Sequence, residues 1–323
     1  GPSMAPIAGR YYAQKDSREV NAIIADAGGT TYDVSLVHRG RIPKTRETWI
    51  GQPFRGHMTG FPSINIKSVG AGGGSIARVD SGGMLHVGPQ SAGAVPGPVC
   101  YNLGGTEPTL TDAALVLGYL NAEFFLGGTM KLDFESARSV IKNQVADPLG
   151  LGVPEAAAAI VSVITENMVQ AISEITVNQG IDPENAILVG GGGAAGLNSI
   201  WIARRLGCPS VLIPEIGAGL SAYGAMISDL SREYRTMFFT TSDNWDIAGV
   251  NSVLEKLGKR CQAFVDGPGA GAIESSIEFS VEARYAGQVW EIEVPLATTI
   301  FKDREDLFTL VNDFHAVHEE IFA

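Results

Sequence analysis

The sequence predicts an α/β protein followed by a smaller α+β segment, and three stretches carry that reading. Residues 21–37, NAIIADAGGTTYDVSLV, run an apolar stretch into Asp26, turn at Gly28-Gly29, pass Thr30, Thr31 and Asp33, and leave through a second apolar stretch. That is strand, tight turn, strand, with the polar groups gathered at the tip. Residues 186–189 form a short apolar strand ahead of Gly190, Gly191, Gly192 and Gly193, and residues 197–206 have helical spacing. After Leu230 the character changes. Residues 234–241, 277–285 and 289–294 alternate as antiparallel strands do, while 250–264 and 304–322 are spaced as helices.

The remaining elements follow in order. Residues 1–20 are polar and mixed and are expected to be a lead-in, with Gly1-Pro2-Ser3-Met4 reading as an expression scar. Residues 38–62 have little periodicity and read as loop and short strand. At 64–77, INIKSVGAGGGSIA, an alternating strand (Ile64, Ile66, Val69) enters a glycine loop. Residues 78–110 are rich in Gly and Pro and are expected to be a long ordered loop. A helical pattern begins at Thr111, taken as its cap, and closes near 126–128; residues 134–145 form another. Residues 154–179 make the strongest helix, with Pro154 at its start, Gly180 as its stop, and Ile160, Val163, Ile164, Met168, Ile172 and Ile175 on one side. A short strand at 211–214 and a helix at 220–228, beside Gly217, Gly219 and Gly224, complete the main domain.

Composition narrows the function classes. The chain has 323 residues, 45% of them hydrophobic, enough for a sizeable core in one or two domains. A net charge of −12 argues against nucleic-acid and anionic-membrane binding. No apolar run in the bare sequence approaches the ~18 residues of a membrane span. The three cysteines, Cys100, Cys208 and Cys261, are far apart with no CxxC, as in a reducing, cytoplasmic setting. The 40 glycines follow no fixed period and cluster in loops, which points to special backbone geometry at sites.

The glycine segments are where chemistry is expected. At Gly28 and Gly29 the backbone N–H groups can approach an anion, and Thr30 and Thr31 add hydroxyl donors. A carboxylate beside a phosphate site calls for a cation, so Asp26 points to Mg²⁺, which prefers oxygen ligands. On the residues alone an ordinary hairpin with a Gly-Gly turn stays open as the other reading. Gly72, Gly73, Gly74 and Ser75 form either a ligand cradle or a close-packing point. The strand, four glycines and helix around Gly190–Gly193 are of nucleotide-site kind, without the lysine of GxxxxGK[ST] and without GxGxxG.

Three of these pieces, taken together, resemble a known superfamily. IADAGGTTYDVSL is similar to the second phosphate motif of the actin, sugar-kinase and heat-shock-chaperone group. ILVGGGGAAGLNSI is similar to its adenosine motif, and GAGLSAYGAMISDL to the helix that follows, whose small-residue face packs against the other half of the molecule. More narrowly, SVGAGGGSIARVD, VGPQSAGAVPGPVCY, GGTEPTLTDAALVLGYL and RYAGQVWEIEVPL resemble the hydantoinase A / 5-oxoprolinase family, which includes acetone and acetophenone carboxylase subunits; the likeness covers about residues 15–320.

That resemblance implies a ribonuclease-H-like nucleotide-binding domain over 21–230, with an insertion at about 40–150, and an α+β domain over 231–323. It implies ATP and Mg²⁺ as cofactors, a lactam or ketone as substrate, and a hydantoinase B-type subunit or domain as partner. The activity implied is phosphorylation of a lactam or related carbonyl for ring opening, or ketone carboxylation; a chaperone-like nucleotide-binding module or a silent scaffold is the reading from another class. Asp26 would hold Mg²⁺ and Asp33 would orient the loop or the metal waters. Gly28, Gly29, Thr30 and Thr31 would hold phosphates, Gly190, Gly191, Gly192 and Gly193 would lie along adenosine and the α-phosphate, and Gly72, Gly73, Gly74 and Ser75 would line the cleft toward substrate.

Two departures from the family pattern stand out. Its earlier phosphate motif, DxGGTFTD, has no counterpart here, and the chain is expected to be the second half of a longer subunit. Asn65 occupies a position where relatives place Asp. Among the remaining residues, His57 and His86 are more often surface groups than ligands, and His315, His318 and Glu319 more often a solvated helix face than a metal site. Lys67 meets either a phosphate or a carboxylate. Asp112 reads as a capping residue, and Arg284 and Tyr285 as packing groups.

Overall fold

The computed structural model describes residues 1–17, 20–45, 47–51, 54–60 and 63–322. The chain divides into two compact units, Gly1–Ser228 and Asp229–Ala323.

Unit 1 opens with α1 (Ala5–Tyr12), then β1 (Ala22–Ala27) and β2 (Tyr32–Val37), an antiparallel hairpin. Four two-residue strands follow: β3 (Lys44–Thr45), β4 (Trp49–Ile50), β5 (His57–Met58) and β6 (Ser63–Ile64), with β3 on β6 and β4 on β5. β7 (Ile66–Val69) returns to β2, and β8 (Ser75–Val79) pairs with β9 (Leu85–Ser91). Then come α2 (Leu110–Val116), α3 (Phe134–Ile141), the short α4 (Asp147–Leu149) and α5 (Val153–Asn178). β10 (Ile187–Gly191), α6 (Ala195–Leu206), β11 (Val211–Leu212) and α7 (Leu220–Ile227) complete the unit.

The main sheet is mixed, in the order β11-β10-β1-β2-β7. β10 runs parallel to β1 and β11 to β10, while β2 is antiparallel to both of its neighbours. Alternation along the strands divides the core in two. Ile23, Ala25, Tyr32, Val34 and Leu36 face the larger core with α5, whose Ile160, Ile164, Met168 and Ile172 are buried there. Ala22, Ile24, Val37, Ile187 and Val189 face the other way, onto Ala5 and Ala8 of α1 and Leu220 of α7.

Several expectations change. The segment read as a lead-in contains α1, because Ala5 and Ala8 are small enough to lie flat on the sheet and are fully buried. Residues 78–110 are not all loop, since β8 and β9 form a hairpin there. The cap of α2 is Thr109 rather than Thr111. Thr109 is extended (φ −125°, ψ 172°) and its side chain accepts from the Asp112 N–H, while Asp112 reaches back to the Thr109 N–H in a reciprocal capping box. α2 then ends at Val116, well before residue 126. α5 is, by length and composition, a helix able to cross a membrane. More than half of its most apolar stretch is buried, as the core helix of unit 1.

Unit 2 contains α8 (Ile247–Asp266), β12 (Ser280–Ala283) antiparallel to β13 (Ile292–Pro295), and α9 (Arg304–Phe322). Its small core joins Ile292, Val294 and Phe314 with Val281, Leu310 and Val317. Residues 234–241 alternate in sequence but form no strand. Their side chains instead make local contacts: the Arg260 guanidinium lies 4.4 Å from the Tyr234 ring, and Arg235 pairs with Glu282 at 2.8 Å.

Candidate functional site

The tip of the β1–β2 hairpin is set by its register. Asp26 stands directly opposite Asp33, and Ala27 opposite Tyr32. The turn between them closes with a bond from the Gly28 N–H to the Thr31 carbonyl, 3.0 Å. The Gly28 carbonyl accepts from the Gly73 N–H (3.1 Å), and the Gly29 carbonyl from the Gly74 N–H (2.7 Å). A trans peptide is planar, with its C=O and N–H on opposite sides. Turning these two carbonyls inward therefore turns the Gly29 and Thr30 N–H groups outward. Among the described residues, neither these nor the Thr31 N–H has a hydrogen-bond partner, and all three residues are exposed.

Hydroxyls border the same surface. The Thr31 hydroxyl donates to Asp33 Oδ2 at 3.3 Å, and Thr30 Oγ1 lies 3.3 Å from Ser91 Oγ. The two carboxylates occupy one face of the sheet on directly paired residues, an arrangement that like charges disfavour without a cation. Among the described residues no group of three or more His, Cys, Asp and Glu is placed to hold a metal. A pair of carboxylates beside free N–H groups nevertheless suits Mg²⁺, which takes one or two carboxylates and completes its shell with phosphate and water.

The second glycine segment stands behind this turn. Residues 71–75 are all buried. The Gly72 N–H donates to Ser75 Oγ (2.8 Å), and the Gly73 carbonyl accepts from the Thr111 N–H (2.9 Å) and the Thr111 hydroxyl (2.8 Å). A Cβ on Gly72 would fall 2.6 Å from the Gly28 carbonyl oxygen and 2.8 Å from the Thr30 nitrogen. The N–H groups of Gly72, Gly73 and Gly74 are thus all engaged inside the protein, as is the Ser75 hydroxyl.

The third segment borders Asp26 from the other side. Gly191 pairs with Asp26 across β10–β1, and both Gly190 and Gly191 are buried in the strand. Gly192 has φ +82°, donates to the Gly217 carbonyl (2.8 Å), and leaves no room for a side chain: a Cβ would lie 2.3 Å from the Ala27 oxygen and 2.5 Å from Asp26 Oδ1. Gly193 is exposed and its N–H has no partner among the described residues, just ahead of the α6 N-terminus, where unpaired donors and the helix dipole favour an anion. Ser221 of α7 was not singled out from the sequence. Its hydroxyl donates to Asp26 Oδ2 at 2.7 Å, across 195 residues of chain.

Other candidates resolve differently. Lys67 pairs with Glu174 at 2.5 Å, and that hydrogen bond holds the Glu174 carboxyl below its ordinary range. His86 lies 2.7 Å from Asp80, whose carboxyl is held low chiefly by the Met84 N–H and then by His86. His57 is exposed on β5, and the Asn65 N–H donates to the Pro43 carbonyl at 3.0 Å. Asp112 is fully buried and accepts from Thr109 N–H (2.9 Å), Thr109 hydroxyl (2.8 Å) and Cys100 N–H (2.8 Å). It caps α2 and pins the 98–101 turn to it. Tyr285 hydroxyl meets His315 Nδ1 at 2.5 Å, and His318 lies 2.8 Å from the Gln288 amide, so these histidines belong to a ring cluster with Phe314.

A mixed sheet with a glycine turn between paired carboxylates at the end of its central hairpin defines the class: an α/β protein with outward backbone N–H groups at the hairpin tip and two carboxylates beside them. The chain belongs to the hydantoinase/oxoprolinase family, whose profile matches residues 3–234. It is 39% identical over its whole length to the alpha subunit of caprolactamase from Pseudomonas jessenii and 33% identical to the gamma subunit of acetophenone carboxylase from Aromatoleum aromaticum, covering 46% and 44% of those proteins. Over 64% of the chain it is 35% identical to 5-oxoprolinase 1 of Arabidopsis thaliana, 17% of which is covered. Among solved structures, the nucleotide-free acetone carboxylase of ATP-dependent acetone carboxylation superposes over the whole chain with a TM-score of 0.83 at 28% identity. The ATP-dependent caprolactamase of Pseudomonas jessenii does so with 0.76 at 37% identity; 46% of each solved chain is covered. The chain thus spans about half the length of the curated subunits it matches end to end, and its family is one of enzymes.

Proposed function

We propose that this chain is the ATP-binding part of an ATP-dependent enzyme that phosphorylates the carbonyl oxygen of a lactam or related cyclic amide ahead of ring opening. The observation that carries the reading is the pair of peptides 28–29 and 29–30, whose carbonyls are anchored inward and whose N–H groups face out between Asp26 and Asp33. Phosphoryl transfer asks a protein mainly for placed donors and charge stabilisation. The amide oxygen attacks the γ-phosphorus and the bond to the bridging oxygen of ADP breaks. Water then adds to the activated carbon, and the ring C–N bond breaks with the nitrogen leaving as the amine after taking a proton from that water. A second water releases phosphate from the acyl phosphate that remains. The outward N–H groups of Gly29, Thr30 and Thr31 would hold phosphate oxygens. Gly193 and the α6 N-terminus would receive the α-phosphate, with Gly190–Gly193 along adenosine. Mg²⁺ would supply charge neutralisation at the phosphates. Asp26 would hold it directly or through water, and Asp33, fixed by Thr31, would orient its waters.

The order and senses of the five-stranded sheet support reading unit 1 as a ribonuclease-H-like ATPase domain. On that reading the enzyme is cytoplasmic, and a further domain supplies the DxGGTFTD phosphate motif. A hydantoinase B-type subunit completes the chemistry, and neither nucleic acid nor membrane takes part. A ketone-carboxylase subunit is the second reading, favoured by the TM-score of 0.83 to acetone carboxylase. The test is ATP turnover by the subunit with its partner, offered caprolactam, hydantoins, 5-oxoproline, or aryl ketones with bicarbonate. Stimulation by one cyclic amide, lost in Asp26→Ala, is the expected result; bicarbonate-dependent turnover with a ketone selects the second reading. Turnover indifferent to Asp26→Ala removes the site.

A further inference from the structure

We infer that Ser221 is a positioning residue for Asp26: its hydroxyl presets the carboxylate that receives the divalent cation, and so sets cation affinity rather than nucleotide affinity. The inference rests on the ATP and Mg²⁺ reading of the hairpin tip. A carboxylate only accepts hydrogen bonds, so the 2.7 Å contact has Ser221 as donor and Asp26 Oδ2 as acceptor. The other oxygen, Oδ1, lies against Gly192, where a Cβ would be 2.5 Å away. One oxygen is therefore bonded and the other bordered by backbone, which limits rotation of the carboxylate about its last bond.

Ser221 is itself held on both sides. Leu220, next to it, is buried and fills the space over Gly191, where a Cβ would meet its Cδ2 at 2.5 Å. One helical turn on, Gly224 rests on the chain at α1, and a Cβ there would come within 1.9 Å of the Met4 carbonyl oxygen. These close approaches at Leu220 and Gly224 flank Ser221 and seat α7 against β10 and α1, which places the serine hydroxyl beside Asp26. Hydrogen bonds of this kind orient metal-binding carboxylates, and removing them weakens metal binding while leaving the ligand set intact. Small-residue packing thus serves a polar purpose here: glycines let α7 approach, and the approach brings a donor to Asp26.

The test titrates this chain with ATP by calorimetry, first in excess EDTA and then at rising Mg²⁺, for the unchanged protein, Ser221→Ala, Ser221→Thr and Asp26→Asn. The expected result for Ser221→Ala is a rise of about tenfold in the Mg²⁺ concentration at half-effect, an unchanged Kd for metal-free ATP, and an unchanged near-ultraviolet circular dichroism spectrum. Ser221→Thr, which keeps the hydroxyl, should restore the Mg²⁺ dependence. An unshifted midpoint in Ser221→Ala together with a shifted one in Asp26→Asn overturns the role of Ser221 alone. Equal losses with and without Mg²⁺ also overturn it, since they indicate a structural part only. A midpoint unmoved in Asp26→Asn, or no Mg²⁺ dependence in the unchanged chain, overturns the metal reading beneath it.

Discussion

The two glycine segments at 28–31 and 70–75 are alike in composition and opposite in what they do with their backbone. In the first, the carbonyls of Gly28 and Gly29 point into the protein and the N–H groups that follow them face out. In the second, the N–H groups of Gly72, Gly73 and Gly74 are all bonded, two of them to those same carbonyls. One loop offers donors; the other uses its donors to aim the first. A glycine run is therefore read correctly only when its hydrogen bonds are followed, because the missing Cβ serves close packing as readily as ligand approach.

Gly72 is where a single substitution does most damage. An alanine there would place its Cβ 2.6 Å from the Gly28 oxygen, 2.8 Å from the Gly29 carbon and 2.8 Å from the Thr30 nitrogen, all backbone atoms that cannot swing aside. Gly72→Ala is expected to cost about 3 kcal/mol or more, read as a lowered urea midpoint, and to abolish ATP binding with it. A variant as stable as the parent would mean that the loop is not a backing wall.

Thr111 gives a smaller effect on the same side. Its hydroxyl donates to the Gly73 carbonyl at 2.8 Å in a fully buried setting, but its own N–H keeps that carbonyl bonded when the hydroxyl is removed. Thr111→Val should cost about 1 kcal/mol, measured by denaturant unfolding, with little change in ATP affinity. Gly29 is the opposite case. Among the described residues, no atom beyond its two chain neighbours lies within 4 Å of a Cβ built there, and the residue is exposed. Gly29→Ala should change stability by about 0.5 kcal/mol or less, yet weaken ATP binding severalfold by crowding the outward N–H groups. A neutral effect on binding would remove the turn from the ligand's path.

These contrasts also show which features the sequence could disclose. The hairpin, α5, β10 and α6 were legible because apolar period and glycine stops reinforce one another locally. Asp26 and Asp33 were legible as two acids at one hairpin tip, because a tight turn keeps its flanks together; that they stand directly opposite one another comes from the register of β1 and β2. α1 was not, because its burial comes from Ala5 and Ala8 meeting Ile24 and Leu220, residues far along the chain. Ser221 was hidden for the same reason: its partner is 195 residues away, and a serine at a helix start looks like any other. The division of labour between the glycine loops was hidden too, since direction of a peptide plane has no counterpart in residue type. The alternation at 234–241 misled because pairing, not alternation, makes a strand, and Arg260 and Glu282 occupy its side chains instead.

Lys67 contributes the smallest of these effects. It lies on β7, the strand that enters the second loop, and a lysine before a glycine run invites a phosphate reading. Its ammonium is instead 2.5 Å from Glu174 on α5, with both side chains more than 40% exposed. Screening limits such a pair to about 0.5 kcal/mol. Its sign with pH follows from Glu174, whose carboxyl the Lys67 hydrogen bond depresses. The contribution is therefore present above the unfolded value of about 4.3 and is lost as pH falls through the lower folded value. Lys67→Met should trail the parent slightly at pH 7 and equal it once Glu174 is protonated, as thermal melts across that range would show. Its ATP affinity should stay within about twofold, since an exposed pair of this kind carries little energy. A tenfold loss of ATP binding without loss of stability would put β7 on the ligand side and join the two glycine loops into one cradle.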